Sequence, residues 1–202
     1  MKRNFFQVTF NIILFLILSS IVGFFLNIVF TFTNSSNEIN NANTVTFALF
    51  NDNFTTTFRV YIYKLTLLTS CISLILIIIE VVNRIRKDSL INYIKSIYQT
   101  FRMRYFLRQY QSNSSKPTDI MKTNHSNPIL NSFNRSASKC IVDVHKEKTI
   151  VLLKVPNTQQ AQKLLEERLE SIQKEITSRH PHYYFSAPNR IGNQLWFIGT
   201  RR

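Results

Sequence analysis

The residues that could do chemistry in this chain are few and scattered. Cys140, His145, His180 and His182 come nearest to a metal-ligand set. A zinc site needs about four convergent ligands, and Pro181, between the last two histidines, suits a shared strand edge poorly. The four read as surface histidines and a buried thiol. Asp143 and Glu147 near Lys154 have the residue types of a metal-dependent nuclease but not the spacing. The only glycines are Gly23, Gly192 and Gly199, too few and too far apart for a phosphate-cradling loop or a dinucleotide fingerprint. His-Glu-x-x-His, Cys-x-x-Cys and Gly-x-Ser-x-Gly are absent. The expectation is a non-enzymatic chain with no catalytic residues, no metal site and no cofactor.

Aromatic side chains carry a stronger signal. Tyr183, Tyr184 and Phe185 fall on one expected strand and Trp196 and Phe197 on another, with Arg190, Arg201 and Arg202 close by. Strand alternation sends some of these rings to each sheet face. A face left uncovered would present Tyr183, Phe185 and Trp196 beside Arg190, Arg201 and Arg202. Stacking platforms flanked by arginine hold single-stranded nucleic acid, while aromatic-rich sheets more often form a core or a protein interface. These six residues are the candidate surface for a partner protein or a nucleic acid.

The elements that must carry this surface begin with two apolar stretches. Residues 5–32 hold no charge, and residues 60–82 (VYIYKLTLLTSCISLILIIIEVV) are nearly all apolar. Roughly 20 such residues span a bilayer as a helix. No small-x-small cleavage site follows the first stretch, so it reads as a retained span rather than a signal peptide. Ser19 and Gly23 in the first span, and Thr66/Ser70 and Thr69/Ser73 in the second, set small side chains four apart, the spacing that lets helices approach closely in lipid. Residues 33–59, rich in Asn and Thr, read as a short external loop. Tyr61 and Tyr63 suit the outer aromatic belt, and Lys64 can snorkel to the same level. Glu80 stands one turn before Arg84, the spacing of a helical ion pair.

Charge then sets the direction. Lys and Arg number 25 against 11 Asp and Glu, a net charge of +14, and most of the excess follows Val82. Arg84, Arg86, Lys87, Lys95, Arg102, Arg104 and Arg108 crowd the far end of the second span, which by the positive-inside bias places both termini in the cytoplasm. With Lys64, Tyr61 and Tyr63, these form the expected membrane-interface set. Within residues 83–110, Leu90, Ile91, Ile94, Ile97, Tyr98, Phe101 and Tyr105 recur at steps of three and four. A basic amphipathic juxtamembrane helix lying on an anionic inner leaflet is expected, or one that pairs with a second copy.

Residues 111–138 are dominated by Ser, Asn and Thr and read as a flexible linker. Residues 139–202 are the remaining globular unit. Ile141–His145 and Thr149–Val155 read as a hairpin. Asn157 is the expected N-cap of a helix whose apolar face is Ala161, Leu164, Leu165, Leu169, Ile172 and Ile176. Two strands follow, His182–Ala187 and Leu195–Thr200. The expected fold class is a membrane α-helical hairpin of two spans, residues 1–82, plus a small cytoplasmic α+β domain, a β-β-α-β-β antiparallel sheet with one helix. A unit this small gains from a partner, so a homodimer or a cytoplasmic protein partner is expected. Two cysteines so placed make no disulfide framework. The bias toward Asn, Ile, Phe, Lys and Tyr is what an AT-rich bacterial genome gives. The functional expectation is a plasma-membrane binding or regulatory module. A nucleic-acid tether and a membrane-perturbing effector of the immunity or phage-exclusion type are the alternatives.

Overall fold

A computed structural model describes residues 3–40, 45–110 and 127–202, with the side chains of 33–55 excepted. It divides into two compact units, Met1–Val82 and Asn83–Arg202. The first consists of two long helices, α1 (Phe5–Asn40) and α2 (Val45–Lys87), the last turn of α2 lying past the boundary in the second unit. Both helices are long and apolar enough to cross a membrane, over Phe5–Phe32 and Thr56–Lys87. Only 11% and 17% of their most apolar windows are buried, whereas the core helix of a soluble protein would be mostly covered. The two run antiparallel. Gly23 closes on Thr66, Phe30 meets Phe58 edge to face at 6.0 Å, and Arg59 Nη2 donates to Thr31 Oγ1 at 2.9 Å. Ser20, Thr66 and Ser73 are buried, and Ser19 is half-buried. The loop expected at 33–59 is instead helical on both sides of residues 41–44. Asn and Thr are only mildly unfavourable in helices, and the flanking apolar helices carry the backbone through them.

The second unit is an α+β domain. Its elements are α3 (Leu90–Leu107), α4 (Pro128–Ala137), β1 (Ile141–Val144), β2 (Lys148–Lys154), α5 (Gln159–Glu167), α6 (Leu169–Arg179), β3 (Tyr183–Phe185), β4 (Asn189–Ile191) and β5 (Gln194–Arg201). All strands pair antiparallel, in the order β1-β2-β5-β3, with β4 also on β5. Since β2 occupies one side of β5, β3 and β4 share the other, end to end, with Pro188 between them. Gly192, at φ +59°, opens the two-residue turn that joins β4 to β5, the position where a tight hairpin needs a left-handed residue.

The core lies on one face of the sheet. Val142, Val144, Val151, Leu153, Leu195, Phe197 and Phe185 meet Ala161 and Leu165 of α5, Ile172 and Ile176 of α6, Met103 and Leu107 of α3, and Phe133 and Ala137 of α4. Phe185 lies across Gly199, its pair on β5, where an added Cβ would come within 2.8 Å of the ring. On the opposite face Ile141, Ile150, Leu152 and Trp196 line up across three strands and are buried too.

This departs from the one-helix β-β-α-β-β expectation in four ways. The single helix is broken at Arg168 into α5 and α6, with Thr158 and not Asn157 at its N-cap. A fifth strand, β4, forms inside the expected turn. Near the end of the expected linker, residues Pro128–Ala137 form α4, started by Asn127, whose side chain accepts from Ile129 N at 3.0 Å, and by Pro128; residues 111–126 lie outside the described residues. Finally, the compact unit starts at Asn83 and not at Lys139, because α3 packs along β1 and contributes to the core.

Candidate functional site

Two features of the second unit involve the charged residues that stand out in the sequence, and both are built on α3 and the turn before it. Ser89 caps α3 with its side chain, accepting from Ile91 N at 3.3 Å. From that start one helix face carries Ser96, Thr100, Met103 and Leu107, all buried. Ser96 Oγ accepts from Val144 N at 2.9 Å, Thr100 Oγ1 accepts from Val142 N at 3.0 Å, and Arg104 Nε donates to Cys140 O at 2.8 Å. The outer backbone groups of the edge strand β1 are thus satisfied by helix side chains. Burial raises the Cys140 thiol to about 12, against the opposing charge of Arg104, so it is a packed, inert group.

The opposite face of α3 is apolar and uncovered. Leu90, Ile91, Ile94, Tyr98, Phe101 and Tyr105 are between 43% and 75% exposed, and Lys95, Arg102 and Arg108 are exposed beside them. Most of the three-and-four stripe of the sequence is therefore present but turned outward. The domain packs α3 through a hydroxyl face instead.

The second feature is a buried ion cluster. Arg84, from the last turn of α2, ion-pairs with Asp143 of β1, and its Nη1 donates to Val144 O at 3.1 Å. Asp88 Oδ2 lies 3.6 Å from Arg84 Nη1 and 3.1 Å from His145 Nδ1, and Asp88 Oδ1 accepts from Asn92 Nδ2 at 2.8 Å. His145 Nε2 lies 3.1 Å from Asp143 Oδ1, and the backbone carbonyl of His145 accepts from Tyr183 Oη at 2.7 Å. Asp143 is completely buried and its partner Arg84 is nearly so. Burial raises the Asp143 carboxyl, but the hydrogen bond from His145 and the charge of Arg84 outweigh it and hold the group at about 2. The charges offset one another, although Asp88 Oδ2 is buried without a hydrogen bond, and of the four ionisable members His145 alone has an appreciable opening to solvent, with 22% of its side chain exposed. The cluster fastens residues 84–88 to β1.

Of the expected membrane-interface residues, Tyr61, Tyr63, Lys64, Arg86, Lys87, Lys95, Arg102 and Arg108 are exposed. Arg84 is instead buried in the cluster, and Arg104 is half-buried against β1. Both are drawn inward because each reaches an acceptor, Asp143 and Val144 O on β1 for Arg84 and Cys140 O just before β1 for Arg104. The expected aromatic platform does not form. Phe185 and Trp196 are buried, and Tyr183 is half-buried with its hydroxyl bonded. Phe185, Phe197 and Tyr183 lie on the face the helices cover, and Trp196 is buried on the other beside Leu152 and Ile141. What stays exposed around the β3/β4 edge is Tyr184, 67% exposed, with Arg190, Arg201 and Arg202. His180 is buried against the rings of Tyr183 and Phe185, and burial together with Arg179 lowers it to about 4. Among the described residues no group of three His, Cys, Asp or Glu is placed to hold a metal ion. Asp88 and Asn92 escape sequence reasoning: Asp88 stands four residues from both Arg84 and Asn92, but its contact with His145 becomes visible only once β1 is set against α3. Comparison with known protein families, curated proteins and solved structures gives no match to this chain.

Proposed function

We propose that this chain is a non-enzymatic membrane-anchored binding module: two spans, both termini in the cytoplasm, and an α+β domain held at the inner leaflet to recruit or regulate a partner protein. One observation carries the reading. The outward face of α3 leaves six large apolar side chains uncovered, flanked by exposed cations, directly after a helix of membrane-spanning length. Uncovered apolar surface rimmed by Lys and Arg suits the boundary between acyl chains and anionic head groups. With that face against lipid, the β3/β4 edge, bearing Tyr184, Arg190, Arg201 and Arg202, is left for a protein. Tyr and Arg are the residue types that most often dominate binding energy at interfaces.

A proximity-labelling enzyme fused after Arg202 in intact cells tests both halves. The expected result is labelling of intracellular proteins, with a reproducible subset lost in the Tyr184→Ala/Arg201→Ala variant. Labelling confined to the outside overturns the orientation, and an identical labelled set in the variant overturns the edge as partner surface.

A further inference from the structure

The corner between α4 and the start of α5 holds a cleft of about 620 Å³, within the size range of small-molecule sites. Three cationic side chains line it: Arg135 in the last turn of α4, Lys139 just after that helix, and Lys154 at the end of β2. Among the described residues no carboxylate lines the cleft. Among the described residues none of the three cations is ion-paired; the described ion pairs all involve other side chains. Like charges gathered without a counter-charge raise the energy of the folded state, and a bound anion relieves that cost. In keeping with this, Lys139 is held below the usual lysine range by the charge of Lys154, with burial and the charge of Arg135 adding to it.

Neutral donors complete the lining. Asn131, Ser132 and Thr158 supply side-chain polar groups. Thr158 is the N-cap of α5, yet its hydroxyl makes no capping bond and instead donates to Ser132 Oγ at 3.1 Å. The positive end of the α5 dipole therefore opens at the cleft wall without a side-chain cap, which adds to the field of the three cations. A convergence of guanidinium, two ammonium groups, hydroxyls and a helix N-terminus matches the several acceptor oxygens of a phosphoryl group better than a single carboxylate.

We propose that this cleft binds a ligand carrying a multiply charged phosphoryl group, contacted by Arg135, Lys139 and Lys154. The ligand is either a free phosphorylated metabolite or a phosphorylated lipid head group. This does not depend on the partner-protein reading or on the orientation in the membrane.

The test uses the full-length protein in nanodiscs of uncharged lipid, so that bilayer charge does not compete. Inorganic pyrophosphate is titrated by calorimetry, and in a parallel arm the nanodiscs carry a phosphoinositide. The variants are Arg135→Gln and Lys154→Gln, with Lys163→Gln on the exposed face of α5 as a charge-matched control. Arg135 is exposed and Lys154 half-buried, and circular dichroism checks that both fold. The expected result is saturable pyrophosphate binding, weakened roughly tenfold or more by either variant and unchanged by the control. Saturation by pyrophosphate assigns a soluble ligand, and a response to the phosphoinositide alone assigns a lipid. No saturable binding in either arm, or equal loss in the control, overturns the proposal. A single-stranded oligonucleotide that binds without being displaced by pyrophosphate also counts against it.

Discussion

Ser96, Thr100 and Arg104 stand four apart on α3, and the residues they serve, Val144 and Val142 of β1 and Cys140 just before it, stand two apart. Four helical residues rise about 6 Å and two strand residues about 6.6 Å, so an antiparallel helix can present one side chain per turn to each outward-facing backbone group of an edge strand. Ser96→Ala leaves the Val144 N–H buried without its acceptor. The expected loss is about 1–3 kcal/mol in chemical denaturation of the full chain, and the same holds for Thr100→Val at Val142. Acid stability should show two separate windows. His180 is about 4 in the fold and about 6.5 when unfolded. Its value is lowered, so stability is complete above pH 6.5 and falls by about 3 kcal/mol as the pH drops toward 4. Asp143 is also lowered, to about 2. Its contribution is complete above the unfolded value of about 3.9 and is lost, on the order of 2 kcal/mol, as the pH falls toward 2. His180→Phe keeps an aromatic ring against Tyr183 and Phe185 and should erase only the upper window. Denaturation midpoints taken at successive pH values check this, and a wild-type curve flat from pH 7 to 4.5 refutes a neutral buried His180.

At the scale of elements, α4 shows how a helix hides in a linker-like composition. Asn131, Ser132, Asn134 and Arg135 occupy its outer positions, and its packing rests on Phe133 and Ala137 in the core, with Ile129 partly buried against it. Phe133→Ala should cost about 3–5 kcal/mol, the range for a large aromatic in a core, and Asn127→Ala about 1 kcal/mol through the lost cap. Thermal unfolding in detergent measures both, and a Phe133→Ala variant as stable as the parent would return the segment to the role of linker. The same reasoning separates what could be read in advance from what could not. Strands β1, β2 and β5 were legible because runs of Val, Ile and Leu have few other uses at that length. The cap and the i, i+4, i+8 spacing of Ile129, Phe133 and Ala137 were present in the letters but outweighed by polar composition. The break at Arg168 was invisible because the apolar spacing runs straight through it. The buried face of α3 was hidden for the opposite reason: its hydroxyls look solvent-facing until an edge strand needs them. The ion cluster joins residues 59 apart in the chain, a distance over which no local pattern speaks.

At the scale of the whole molecule, α3 has two jobs that pull its composition in opposite directions. One face holds an edge strand with small polar groups. The other keeps Ile94, Tyr98 and Phe101 at 65%, 60% and 46% exposure, although burying each in a core would be worth about 1.5–3 kcal/mol. A soluble domain rarely leaves such a stripe open, and the chain's net charge of +14, most of it after Val82, favours anionic surroundings. If lipid covers the stripe, replacing these three residues by serine should leave the fold intact, because the core does not use them. The change should appear only where a bilayer is present. Hydrogen exchange on the full chain decides the matter. In nanodiscs with anionic lipid, amides of residues 90–107 should exchange more slowly than in uncharged nanodiscs, and added salt should narrow the difference, since each basic residue near such a surface contributes about 1 kcal/mol that screening removes. The triple serine variant should lose that lipid-dependent protection while its amides in β2 and β5 stay as slow as before. Protection that instead rises with protein concentration in either lipid, and falls in the variant, assigns the stripe to a second copy of the chain and takes the bilayer out of its explanation.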